Sequence, residues 1–142
     1  MNKQIYTSCS PDETEKIAFE FAKNLKNNDF IAMYGDLGAG KTAFTRGLCS
    51  CLTPDEYVSS PTYTIVNEYI GDSFRVCHFD MYRIADEDDL YSIGFYDYTD
   101  CIMICEWCEN IESSIPDNYY KVTITKTDNE NIRNITIEEI SR

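Results

Sequence analysis

The sequence predicts an α/β fold in three layers, with a central mostly parallel sheet and antiparallel additions, and three observations point there. Phe30-Ile31-Ala32-Met33-Tyr34 and Cys101-Ile102-Met103-Ile104-Cys105 are short continuous apolar runs, the pattern of strands buried on both faces. A stretch with helical apolar spacing precedes the first run, and a glycine-rich octapeptide joins that run to a second helical stretch. Two alternating segments near the C-terminus supply an antiparallel hairpin.

Each element has its own signal. Ser10-Pro11-Asp12-Glu13 combines an N-cap serine, a proline at the first helical position and a glutamate three residues after the cap. It opens a helix carrying Ile17, Ala18, Phe21, Ala22 and Leu25 on one face, which the polar Asn27-Asn28-Asp29 ends. The strand over Phe30–Tyr34 follows, then a helix from Lys41 to about Leu52, closed by Thr53-Pro54. Tyr63 to Ile70 and Phe74 to Tyr82 read as a hairpin around Gly71-Asp72-Ser73. Asp86 to Tyr98 holds a short helix with Leu90 and Ile93, then a turn at Gly94. The strand over Cys101–Cys105 delivers Glu106 and Trp107 to its C-terminal end, the edge at which open α/β sheets bind ligands. Tyr119–Thr125 and Ile132–Ile140 form the last hairpin, turning at Asp128-Asn129-Glu130-Asn131. No repeat, low-complexity tract or linker divides residues 1–142, so a single domain is expected.

A hydrophobic fraction of 43% and an aromatic fraction of 13% exclude a disordered or fibrous chain. Lys and Arg number 12 against 25 Asp and Glu, a formal charge of -13, which repels a phosphate backbone over most of the surface. DNA is therefore not an expected partner. Any nucleotide site must supply its own local positive potential together with a divalent cation. The seven cysteines (Cys9, Cys49, Cys51, Cys77, Cys101, Cys105 and Cys108) are odd in number and follow no recognisable secretory leader, which predicts free thiols in the cytoplasm. No apolar run approaches the roughly 18 residues of a membrane span, so no membrane association is expected.

Gly35-Asp36-Leu37-Gly38-Ala39-Gly40-Lys41-Thr42 satisfies G-x-x-x-x-G-K-[ST], and its place between a strand and a helix is the context this P-loop motif requires. Gly35, Gly38 and Gly40 admit backbone torsions closed to other residues, so that successive N–H groups can curl around a phosphate. The new helix adds the partial positive charge of its N-terminus. Lys41 is placed to reach the β- and γ-phosphates, and the Thr42 hydroxyl to bind Mg²⁺. Ala43 in the first helical turn completes the ATP-binding set. The plain alternative is a glycine-rich turn with no ligand.

Hydrolysis needs more: a carboxylate on the Mg²⁺ side and a group that orients water. Glu106 ends an apolar strand, and Asp80 ends Val76-Cys77-His78-Phe79-Asp80; each could instead be a surface or capping acid. Thr62, in the polar loop Ser59-Ser60-Pro61-Thr62, is the candidate sensor of the γ-phosphate, with a proline turn as the alternative. His78 shares a strand face with Asp80 and is read as structural, since P-loop mechanisms rarely use a histidine base. Cys101 and Cys105 read as small apolar residues of a buried strand in preference to zinc ligands, because no second C-x-x-C pair exists. Acidic Asp86–Asp89 reads as a solvated helix start.

The P-loop, Ser60-Pro61-Thr62-Tyr63, His78-Phe79-Asp80-Met81-Tyr82-Arg83, Asp89-Leu90 to Ile93-Gly94 and Glu106-Trp107 occur in that order, and the series closely resembles the TsaE (YjeE) family. The resemblance implies a P-loop NTPase fold and a weak Mg-dependent ATPase. Such a subunit acts with TsaB and TsaD partners to make threonylcarbamoyladenosine in the anticodon loop, at adenosine 37 of tRNAs reading codons that begin with A. It further implies that Thr62 is the switch-loop threonine, Asp80 the aspartate near the γ-phosphate and Glu106 the metal-side acid. Trp107 then shapes the nucleotide pocket or a partner surface. Cys108, Cys101 and Cys105 depart from the residues usual in that family while keeping size and polarity. The acidic charge suits a subunit that meets tRNA only through a complex, a basic partner holding the RNA. Competing classes are a small-molecule phosphotransferase, for which the arginines show no lid cluster, and a nucleotide-gated binding module with negligible catalysis.

Overall fold

The computed structural model describes residues 3–35, 38–62 and 64–142. Its strands are β1 (Lys3–Ser8), β2 (Phe30–Gly35), β3 (Val66–Ile70), β4 (Arg75–Asp80), β5 (Ile102–Glu106), β6 (Asn118–Lys126) and β7 (Arg133–Ser141). The helices are α1 (Pro11–Ala22), α2 (Lys41–Leu52) and α3 (Glu87–Ser92), with 3₁₀ turns over Phe95–Asp97 and Cys108–Ser114. The strands form one sheet in the order β1-β7-β6-β2-β5-β4-β3. β6, β2, β5 and β4 run parallel at its centre, and β3, β7 and β1 add antiparallel edges.

Side-chain alternation divides the sheet into two cores. On one face Ile31 and Met33 of β2, Ile102 and Ile104 of β5, and Val122 and Ile124 of β6 pack under Phe21 of α1 and Phe44 and Leu48 of α2. On the other, Phe30, Ala32, Cys77, Phe79 and Cys105 pack against Leu90 of α3, Phe95 and Ile111. The three expected layers follow from that division. Ser10 caps α1 as its motif predicts: its Oγ accepts from Glu13 N at 3.1 Å, while Glu13 Oε1 accepts from Cys9 N at 3.3 Å. Among the described residues, no helix is long and apolar enough to cross a membrane.

Three features differ from the sequence expectation. β1 went unpredicted, because most of its side chains are exposed and Ile5 is 68% exposed, so no buried period marks it. β3 begins at Val66, later than Tyr63, because Ile65 N donates to Pro61 O at 2.8 Å in a turn and Ile65 has φ 71°. α1 stops at Ala22, and Leu25 reaches the core from the turn beyond it.

Candidate functional site

The parallel strands β2, β4 and β5 all end at one edge of the sheet, where Gly35, Asp80 and Glu106 lie. Counting by two from Val76 puts His78 and Asp80 on the face covered by α1 and α2, and counting from Ile102 and Ile104 puts Glu106 there too. Asp80 and Glu106 are register partners on adjacent strands. The N-terminus of α2 meets the same corner. A cleft of about 250 Å³ there is lined by Gly38, Gly40, Lys41, Thr42, Ser60, Thr62, Asp80, Glu106 and Trp107. Residues far apart in the chain are thus gathered by strand order alone.

The loop has the backbone its glycines predict: Gly35, Gly38 and Gly40 have φ of 140°, 75° and 109°. Asp36 and Leu37, expected in the phosphate loop, lie outside the described residues, as does Tyr63. Ala39 is buried, and Ala43 is buried behind the loop in the first turn of α2. Lys41 is buried as well, with Nζ donating to Gly35 O at 3.2 Å and lying 4.8 Å from the centre of the Trp107 ring. Trp107 adopts a left-handed backbone, φ 59°, and its ring meets Tyr82 edge-on at 5.0 Å. It therefore forms one wall of the cleft.

Both acids are held in place. Asp80 Oδ1 accepts from Tyr82 N at 2.9 Å, Asp80 N donates to Ile65 O at 2.8 Å, and Met81 N donates to Glu106 O at 3.0 Å. Glu106 Oε2 lies 2.6 Å from Nε2 of the fully buried His78. The exposed Thr62 shares a 2.7 Å hydrogen bond with Ser60, and their loop is tied to β3 where the Tyr69 hydroxyl bonds both N and O of Ser59 at 3.1 Å.

Thr42, Asp80 and Glu106 offer hard oxygen donors on one cleft. Among the described residues, no three of His, Cys, Asp and Glu converge tightly enough to cage a metal ion. That donor set fits Mg²⁺, which takes one or two protein oxygens and completes its shell with phosphate and water.

Sequence reasoning missed two parts. A second cavity, about 320 Å³, adjoins the loop through Gly38, Ala39, Gly40 and Ala43 and is walled by Ser10, Thr14, Asn131 and Arg133. It is built from the start of α1 and the turn before β7, which no local pattern connects. The other is the bond between His78 and Glu106; the strand period placed His78 beside Asp80, whereas its partner comes from the neighbouring strand.

Comparison with known proteins bears on this geometry. Residues 8–135 match the model of the family described as threonylcarbamoyl adenosine biosynthesis protein TsaE. The chain is 38% identical over 140 residues to the tRNA threonylcarbamoyladenosine biosynthesis protein TsaE of Haemophilus influenzae, covering 92% of this chain and 87% of that one. It is 33% identical over 126 residues to the protein of that name from Bacillus subtilis, covering 89% and 80%. The crystal structure of Bacillus subtilis YdiB superposes with a TM-score of 0.78 at 28% identity, covering 99% of this chain and 87% of that one. With the P-loop NTPase fold and a family match over most of its length, the chain belongs to the TsaE family of threonylcarbamoyladenosine biosynthesis proteins.

Proposed function

We propose that the protein is a Mg-dependent ATPase subunit, acting in the cytoplasm with TsaB and TsaD partners in the modification of adenosine 37 of tRNAs that read codons beginning with A. The observation that carries this reading is the convergence of Lys41, Thr42, Thr62, Asp80, Glu106 and Trp107 on one cleft at the C-terminal edge of the parallel strands. Bound Mg-ATP supplies the scissile phosphoryl group and a cation that draws off its charge. The amides of the loop and the N-terminus of α2 bind the phosphates. Lys41 would exchange the Gly35 carbonyl for phosphate oxygen, the stronger acceptor. Thr42 and Glu106 would hold the cation, while Thr62 and Asp80 would stand beside the γ-phosphate and orient the attacking water. The adjoining cavity, lined by Ser10 and Asn131 among others, would receive ribose and base. The net charge of -13 leaves RNA binding to a basic partner.

Lys41→Ala should weaken binding of a fluorescent ATP analogue by about tenfold to a hundredfold, the worth of a hydrogen bond to a charged group. Asp80→Ala and Glu106→Ala should bind the analogue and lose turnover. Wild-type turnover should be slow alone and rise when TsaB and TsaD are added. Unchanged affinity in Lys41→Ala, or fast hydrolysis by the lone chain that the partners leave unaltered, contradicts the proposal.

A further inference from the structure

His78 is the single histidine of the chain, and it is fully buried at the α2 face of β4. Packing alone does not account for it. Its Nδ1 is buried and, among the described residues, has no hydrogen-bond partner, a cost that leucine or methionine of similar volume would not carry. What an aliphatic residue could not supply is the 2.6 Å bond from Nε2 to Glu106 Oε2. A carboxylate only accepts, so with Glu106 in that form Nε2 is the donor. Without this donor, a carboxylate only 6% exposed would lose the hydrogen bond that His78 gives it.

The two acids of the cleft are consequently tethered in the same manner, each by one oxygen. Asp80 is tied by the backbone N–H of Tyr82, and Glu106 by the imidazole. As register partners on adjacent strands they repel, and a carboxylate free to rotate would turn away from its neighbour. We infer that His78 is a positioning residue: its Nε2–H fixes one oxygen of Glu106 and so presents the other to the cation side of the cleft. Partners of this kind orient metal-facing carboxylates elsewhere, and losing one costs about tenfold to a hundredfold in metal affinity or activity. The inference rests on the reading of Glu106 as the metal-side acid.

The test compares His78→Leu, His78→Gln and Glu106→Gln in the full chain. Mn²⁺ affinity is measured by electron paramagnetic resonance with a non-hydrolysable ATP analogue bound, next to thermal unfolding and steady-state turnover. A glutamine amide reaches the place of Nε2, so His78→Gln should keep Mn²⁺ affinity near wild type. His78→Leu should lose about tenfold or more, with kcat falling and KM for ATP unchanged. Glu106→Gln should lose at least as much. If His78→Leu does not fold, His78→Asn serves in its place, being polar but too short to reach Glu106. Wild-type Mn²⁺ affinity in the leucine or asparagine variant overturns the inference, as does equal impairment of the glutamine variant, which would mark a packing role. Wild-type turnover and Mn²⁺ affinity in Glu106→Gln would instead remove the reading of Glu106, and the inference with it.

Discussion

Gly35 shows how two demands can meet in one position. Its φ of 140° lies in the region that favours glycine, and a Cβ there would stand 2.1 Å from the carbonyl oxygen of Ile124 on β6. The motif predicts the torsion, but the close approach of β6 is known only from the sheet. Gly35→Ala should therefore cost about 2 kcal/mol or more in stability, read as a lower urea midpoint, and an unshifted midpoint would contradict the contact. The same division holds across the site. Lys41 and Thr42 were legible because eight consecutive residues carry their chemistry. The rest of their surroundings was not: Trp107 lies over Lys41, and Glu106 against His78, through strand pairings that no local pattern encodes. Asp80 and Glu106 stood out individually as acids at strand ends, while their adjacency came from the register between β4 and β5.

The P-loop helix owes its position to its contact with α1. At Gly47, midway along α2, a Cβ would come 2.3 Å from the carbonyl oxygen of Glu15 and 2.7 Å from the Ala18 side chain, so the two helices meet nearly backbone to backbone. Gly47→Ala should force them apart at a cost of about 1–3 kcal/mol. Urea unfolding should show a lower midpoint with an unchanged slope; equal stability would mean that the pair has slack. Elements with a buried face were readable from their period, as were those with punctuation such as the Ser10 cap, which stabilises α1 by about 1 kcal/mol. β1 was not, since a strand whose residues mostly face solvent carries no apolar period and is defined only by its pairing with β7.

The two cores decide which thiols reagents can reach. Cys49, Cys77, Cys101, Cys105 and Cys108 are buried, Cys51 is half-buried and Cys9 is exposed. Burial pushes the Cys49 thiol up to about 12 and raises that of Cys51, leaving little thiolate at neutral pH. A disulfide reagent should label Cys9 quickly, Cys51 more slowly and the other five only on unfolding. Rapid labelling of more than two in the native protein would contradict the packing described. The three-layer arrangement was legible from the two apolar runs, whereas the order β6-β2-β5-β4 was not, because parallel strands can be permuted without altering any local signal. The β1–β7 ladder has a practical consequence. Lys3 stands opposite Glu138 and Ser8 opposite Arg133, and Arg133 walls the cavity beside the phosphate loop. Lys3 and Ser141 therefore lie toward the same end of the sheet, away from the phosphate loop, so a fluorescent label attached at either residue should leave the nucleotide entrance clear.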